Sequence, residues 1–293
     1  MSQTIVRAAS EMITAAGVIA ASFHDKGVSV AKKGEIDLVT KADHAVEAHI
    51  INWITSHYPT HGILAEESGA HPGENPYRWV IDPIDGTTNF AHQLGHFCIL
   101  VGFQESGEGG NYETLFGLTL DPLRREFFVA ERGQGATLNG RPIAVSTTTD
   151  LHQSLLCTGF GYNRLFEAQD NHREFCRLNH LTRGVRRFGS AGLDLAWVAC
   201  GRYDGFWEHN LNPWDLTPGF ILVDEAGGCV TDYQGRSPRP ESGEVVCANP
   251  AFHPTLMAAL DSARKEPINS RRGMDPFLTR ASQQRLAETT SQP

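Results

Sequence analysis

The chain has 293 residues, enough for one large domain or two packed ones, and its 40% hydrophobic and 20% charged content is that of an ordinary globular protein. A formal charge of −9, from 34 acidic against 25 basic residues, argues against a protein that grips nucleic acid with its whole surface. No apolar run approaches bilayer-spanning length, the N-terminus MSQTIVRAAS lacks a charged-then-apolar export signal, and six scattered cysteines without a Cys-x-x-Cys pair read as buried free thiols, so the expected address is the cytoplasm.

In chain order, residues 5–23 have the pattern of an amphipathic helix rich in Ala and Ile, which the stretch 27–34 breaks. A second helix is predicted over 43–58, with Asp43 as its N-cap and Glu47 in its first turns. The short apolar run GILAEES follows a turn at 59–62, and RWVIDPIDGTTNF couples a strand at 79–81 to a Pro- and Gly-punctuated turn. Alternating and β-branched runs at 97–120 and 125–130 predict antiparallel strands, and GQGATLNGRPI predicts a hairpin turning at Asn139–Gly140. LLCTGFG reads as a buried strand, 168–181 as a helix, and GSAGLDLAWVACG as a helix ended by Gly201. DGFWEHN reads as a strand, 214–227 as a helix, GCVTDY and EVVCAN as strands, and 254–264 as the last helix. No internal repeat is visible. The change of rhythm predicts an N-terminal α+β subdomain at 1–145 and a C-terminal α/β subdomain at 146–265. The polar, Ser-, Gln- and Arg-rich stretch 266–293 predicts a flexible tail.

Three acidic segments abut apolar ones: Glu66–Glu67 after Ile63-Leu64-Ala65, Asp82-Pro83-Ile84-Asp85-Gly86-Thr87 after Trp79-Val80-Ile81, and Trp214-Asp215 before an apolar helix. A carboxylate at the end of a buried strand is costly unless its charge is compensated, and hard divalent cations such as Mg²⁺ compensate it well. Pro83 stops the chain from continuing as a regular strand, so Asp82 and Asp85 can aim at one point with the Ile84 carbonyl. Gly86 and Thr87 then stand where a helix can begin, with free N–H groups for a phosphate. One turn thus supplies cation ligands and an anion cradle, which is a phosphoryl-transfer arrangement. Each piece alone has a bland reading: a solvated DxxD turn, an exposed Glu pair, an uninformative Trp-Asp.

Together, GILAEESG, WVIDPIDGTTNFAH and PWDLTPGFILVDEAGG resemble the two signature regions of the inositol monophosphatase family. LVTKAD, RGQGATLNGRPI and RRFGSAGLDLAWVACGRYDGFWE are similar to its intervening segments, so the likeness covers about residues 5–262. The resemblance implies an α/β layered αβαβα sandwich of the inositol monophosphatase and fructose-1,6-bisphosphatase type, Mg²⁺ dependence with two or three ions, lithium inhibition and a homodimer. It implies that Glu66, Asp82 and the Ile84 carbonyl bind one Mg²⁺, that Asp82, Asp85 and Asp215 bind a second, and that Glu66 with waters holds a third. Thr87 with Glu66 would orient and deprotonate the attacking water, and the Gly86 and Thr87 amides would hold the phosphate. Asp85, Ala191, Glu208 and Asp215 would contact the substrate. Tyr162 stands where the animal enzymes have a serine, and its bulk can reshape the polyol pocket.

Other polar residues have quieter readings. Asp37, Thr40 and Asp43 match a family segment near the metals, next to Lys32 and Lys33, but serve equally as loop and capping groups. Glu67 is either a solvated neighbour or a support for the ligands. His92 and His96 have the i, i+4 spacing of a metal pair, yet lack a nearby catalytic Glu and read as rim groups. Arg183, Arg186 and Arg187 read as a solvated or dimer-edge cluster, and Trp197, Trp207 and Trp214 as core. The function expected is hydrolysis of a small phosphorylated polyol, inositol 1-phosphate first, without membrane or nucleic-acid partners. Histidinol phosphate, fructose 1,6-bisphosphate and 3′-phosphoadenosine 5′-phosphate are alternative substrates within the enzyme class. An accessory role in transcription complexes or RNA binding is the alternative of a different class.

Overall fold

The computed structural model describes residues 2–26, 30–32, 38–107, 111–162, 164 and 170–265. The expected tail at 266–293 and the residues Lys33 and Asp37 lie outside the described residues, as do the side chains of Lys32 and Thr40.

Helices α1 (Ser2–Lys26) and α2 (Lys41–His57) open the chain. Ala9, Met12, Ile13, Ala16 and Ala20 fall on one stripe of α1 and are buried against the first sheet. By length and composition alone, α1 is the one helix among the described residues able to cross a membrane, which corrects the expectation that no apolar run approaches that length. Its small-residue stripe is spent on the sheet instead. Asp43 is not the cap of α2: it lies inside the first turn and is fully buried, facing the site. Glu47, also buried, accepts hydrogen bonds from the N–H groups of Glu67 and Ser68, each at 2.9 Å, and so fixes the turn after Ala65. Between the two helices, the stretch read as a break forms an antiparallel ribbon of β1 (Val30–Lys32) and β2 (Leu38–Thr40).

The first large sheet contains β3 (Gly62–Ala65), β4 (Gly69–His71), β5 (Tyr77–Asp85), β6 (Cys98–Ser106), β7 (Tyr112–Asp121), β8 (Glu126–Glu131), β9 (Gly135–Leu138) and β10 (Arg141–Pro142). Its order is β10-β9-β8-β7-β6-β5-β3-β4, antiparallel throughout except for the β3–β5 pair. The β9–β10 hairpin turns at Asn139 and Gly140 with φ of 50° and 74°, the left-handed pair that a two-residue turn requires. Helix α3 (Thr87–Ala91) follows β5.

The second sheet has the order β12-β11-β13-β15-β14, from β11 (Leu155–Thr158), β12 (Gly184–Arg186), β13 (Gly205–Glu208), β14 (Cys229–Thr231) and β15 (Val245–Ala248). Three-residue β12 is too short to leave a periodic signal, and the sequence did not predict it. Helices α4 (His172–Leu181), α5 (Ala191–Ala199), α6 (Pro213–Glu225) and α7 (His253–Lys265) complete the fold.

Helices α1 and α2 cover the outer face of the first sheet, α5 and α6 fill the space between the sheets, and α4 and α7 cover the second sheet. This is the expected five-layer αβαβα stack. The strand patterns follow from it. Along β6, Ile99, Val101 and Phe103 join the α1/α2 core, while Cys98 and Leu100 meet Leu193 of α5. In the second sheet, Cys157, Phe206, Val245 and Cys247 point to α5 and α6, and Leu156, Trp207, Val246 and Ala248 to α4 and α7. Strands buried on both faces read as unbroken apolar runs. The six thiols are free as expected, but only Cys98, Cys157 and Cys247 are buried, and Cys176 is exposed.

Candidate active site

The sequence places Asp82 and Asp85 three residues apart, and in a regular strand such residues face opposite sides of the sheet. The structure resolves this with a β-bulge. Asp82 pairs with Leu100 and Asp85 with Cys98, so three steps on β5 span two on β6. The extra residue returns both carboxylates to one side. Strand β5 therefore does not stop at Pro83, as expected, but runs on through it to Asp85. Gly86 follows with φ 96°, a left-handed conformation, and starts α3.

Both carboxylates open into a cleft of about 130 Å³ to which six elements bring candidate residues. Glu66 enters from the end of β3, Asp82, Ile84 and Asp85 from β5, Gly86 and Thr87 from the start of α3. Glu208 enters from the end of β13, Ala191 from the start of α5, and Asp215 from the first turn of α6. All nine candidate site residues thus line one cleft. Within it, Asp82, Asp85 and Asp215 have carboxylate oxygens all within 4.8 Å of one another.

Each of the three carboxylates is held by the fold. Asp82 Oδ1 accepts the Ile84 N–H at 3.0 Å. Asp85 Oδ2 accepts the Ser190 hydroxyl at 2.6 Å, the Gly192 N–H at 2.7 Å and the Cys98 thiol at 3.5 Å. Two of those donors belong to the N-terminus of α5, whose dipole favours a negative charge there. Asp215 Oδ2 accepts the Asn212 N–H at 2.6 Å, closing the first turn of α6 on itself. The Thr87 hydroxyl lies 3.1 Å from the Ile84 carbonyl and 3.4 Å from Asp43 Oδ1. Glu208 rests against Gly159: a Cβ there would lie 2.1 Å from Oε2 of Glu208, so no other residue leaves room for this carboxylate.

The electrostatics are those of crowded, buried acids. Burial first, and then the charges of Glu66, Asp85 and Asp215, push Asp82 well above the usual carboxylate range. Burial raises Asp85 too, against the opposing hydrogen bonds from Ser190 and Gly192. Asp215 is pushed up to about 7 by burial and then Asp85. Glu208 is pushed up to about 8 by burial, with Arg187 opposing and Asp215 and Asp85 adding. Among the residues lining the cleft, Arg187 alone carries a positive charge, against five carboxylates. An all-oxygen set of three carboxylates at this spacing suits a hard divalent cation of the Mg²⁺ type.

Several residues of the site had no clear sequence signal. Ser190 and Gly192 act on Asp85 across more than a hundred residues. Asn89 donates from its side chain to the carbonyls of His96 at 2.8 Å and Phe188 at 2.7 Å, tying α3 to the segment before α5. Arg187, read as part of a solvated cluster, lines the cleft. The histidine pair separates: His92 is exposed, whereas His96 is not a rim group but is buried edge-on against Trp197. Trp207 is core as expected, while Trp197 and Trp214 are half-buried.

A model of the inositol monophosphatase family matches residues 1–265. The chain is 45% identical over 260 residues to an inositol-1-monophosphatase of Synechocystis, covering 88% of this chain and 89% of that protein. It is 42% identical over 238 residues to the Nus factor SuhB of Pseudomonas aeruginosa, covering 80% and 86% respectively. The solved structure of an inositol monophosphatase from Anabaena superposes with a TM-score of 0.80 at 44% identity, covering 89% of this chain and 96% of that one.

Proposed function

The chain belongs to the inositol monophosphatase family and is a phosphatase of that family, and on this premise we propose that it releases phosphate from inositol 1-phosphate by direct attack of water. The observation that carries the reading is the triad of buried Asp82 and Asp85 with half-buried Asp215, their oxygens within 4.8 Å, opening on the Gly86–Thr87 turn. Glu66, Asp82 and the Ile84 carbonyl hold one Mg²⁺, Asp82, Asp85 and Asp215 hold a second, and Glu66 with waters holds a third. When bound, the ions neutralise the phosphate and make water more acidic.

The residues of the chain do the rest. The Gly86 and Thr87 N–H groups hold the phosphate oxygens. Thr87 Oγ1 takes a proton from the attacking water and passes its own to Asp43 Oδ1, within reach at 3.4 Å, while Glu66 orients that water. The water oxygen bonds to phosphorus as the ester P–O bond breaks, the departing alkoxide takes a proton from solvent water, and no phosphorylated residue forms. Glu208, with Ala191, Asp85 and Asp215, contacts the hydroxyls of the leaving polyol. The enzyme works in the cytoplasm as a homodimer and is inhibited by lithium.

The test is phosphate release with and without Mg²⁺, and with lithium, from inositol 1-phosphate, histidinol phosphate, fructose 1,6-bisphosphate and 3′-phosphoadenosine 5′-phosphate. Turnover that requires Mg²⁺ and is strongest on inositol 1-phosphate supports the reading. A higher rate on another member reassigns the substrate, and no turnover of any removes the reading. The likeness to proteins named Nus factor SuhB favours a second reading, an accessory role in transcription complexes. Co-purification with RNA polymerase tests it.

A further inference from the structure

A second hollow, of about 620 Å³, lies on the α1/α2 side of the first sheet and shares no lining residue with the catalytic cleft. Its size is that of a small-molecule site. Thr4 and Ile5 of α1 close it over the sheet residues Tyr77, Phe103, Glu105 and Phe116. Most of the wall is aromatic. The His61 ring lies 5.4 Å from Tyr77 and 5.5 Å from Phe103, Tyr58 stacks on it at 4.9 Å, and Phe116 stacks on Phe103 at 5.1 Å. The Trp79 N–H donates to His61 Nδ1 at 3.1 Å, which requires that nitrogen to be unprotonated, and burial lowers the pKa of the ring as well. His61 therefore brings no positive charge, and half-buried Glu105 is the single charged residue of the lining.

Glu105 faces Tyr77 across β5 and β6, and the Tyr77 hydroxyl donates to its carboxylate, which pushes the pKa of the phenol up. Glu113 stands opposite it on β7, like charge against like. The neighbouring bases are engaged elsewhere: Arg132 with Glu113 and Asp224, Arg78 with Gln104 and Glu241. Among the described residues Glu105 has no ion pair. Aromatic rings present negative faces to the hollow, and the carboxylate at its rim adds a full charge, so an organic cation satisfies both. The first turn of α1 brings about half a positive charge to the same rim and offsets Glu105 only in part. One carboxylate among apolar groups is too few ligands for a metal ion, and the apolar wall calls for an apolar body on the cation. We infer that this hollow binds a small organic ammonium ion with an aromatic or apolar body, its charge on Glu105 and its body against Tyr77, Phe103 and Phe116. The inference is independent of the phosphatase reading.

The test is calorimetric titration of the full chain at neutral pH with 2-phenylethylammonium, 2-phenylethanol and 3-phenylpropionate, under saturating Mg²⁺ so that the acids of the catalytic cleft are neutralised. The alcohol is expected to bind with a Kd of about 1 mM and the ammonium about tenfold more tightly, the size of one charge-assisted contact. The carboxylate probe is expected to bind more weakly than either. Glu105→Gln, in a protein with an unchanged melting profile, is expected to cost the ammonium about tenfold and leave the alcohol as it was. Asp215→Asn is expected to change neither. Equal affinity for ammonium and alcohol overturns the inference, as does tighter binding of the carboxylate probe or no binding of any probe. A preference that survives Glu105→Gln overturns it too, and its loss in Asp215→Asn instead places the cation in the catalytic cleft. Binding that weakens as protein concentration rises gives the hollow to a second copy of the chain and overturns the ammonium site.

Discussion

Replacing Ser190 with Ala removes the shortest hydrogen bond to Asp85 without changing any of the proposed cation ligands. Ser190 is 1% exposed, so water cannot take the place of its hydroxyl. A hydrogen bond to a charged group contributes about 1.5–3 kcal/mol. The Gly192 N–H at 2.7 Å and the Cys98 thiol at 3.5 Å remain on the same oxygen, which puts the loss at the lower end. At about 1.4 kcal/mol per decade, that is close to a tenfold weaker hold on the cation. Partners of metal ligands cost about 10- to 100-fold in affinity when removed, which agrees. The assay is the Mg²⁺ concentration for half-maximal release of phosphate from p-nitrophenyl phosphate, with a calorimetric Mg²⁺ titration beside it. Half-saturation is expected to rise about tenfold while the rate at saturating Mg²⁺ changes little. A half-saturation within about twofold of the parent, in a protein with an unchanged melting profile, would refute the argument that the α5 N-terminus tunes Asp85.

Asp215→Asn keeps the shape and the Asn212 contact but loses the charge, so turnover is expected to fall about 100-fold or more. Without Mg²⁺ the same variant melts at or above the parent temperature, because one of three repelling charges is gone; a lower melting temperature contradicts the crowded-acid picture. Gly159→Ala drives a methyl into the Glu208 carboxylate. It should raise KM for inositol 1-phosphate several-fold more than for p-nitrophenyl phosphate, and Glu208→Gln should shift the same ratio; equal losses on both substrates count against a specificity role. His96 is pushed down to about 4 by burial and then by Arg124. Its neutral form is therefore favoured in the folded state, and the unfolded chain binds the extra proton between the ordinary value near 6.5 and about 4. The stability this contributes is complete above that window and is lost as pH falls through it. His96→Phe should show a smaller drop in urea midpoint between pH 7 and 4.5 than the parent; identical drops would exclude His96 as the source.

Much of the fold could be read in the sequence because its strands are buried on one or both faces and its turns carry specific residues. The alternation in β6 and β7, the Asn139–Gly140 hairpin and the apolar runs of the second sheet leave period-2 or continuous patterns. Short elements without a full period, such as β12 and the β1–β2 ribbon, leave none. Asp43 and Glu47 looked like helix-start residues because local sequence cannot distinguish a solvated first turn from one whose acids reach inward.

For the site, the DPIDGTT string by itself determined only that Asp82, Asp85 and the Gly86–Thr87 turn follow one another closely along the chain, with Pro83 and Gly86 breaking the regular backbone between them. Glu66 and Asp215 were legible as acids abutting apolar segments, where an unpaired charge is costly. Their convergence was settled only by the tertiary structure. The bulge that brings Asp82 and Asp85 to one side depends on the register of β6. The oxygens of Asp85 are set by Ser190 and Gly192, and Glu208 finds its place because Gly159 leaves a gap. Such contacts join residues tens to more than a hundred positions apart, and no local propensity encodes them. They arise when the layers pack and each buried polar group must find its partner.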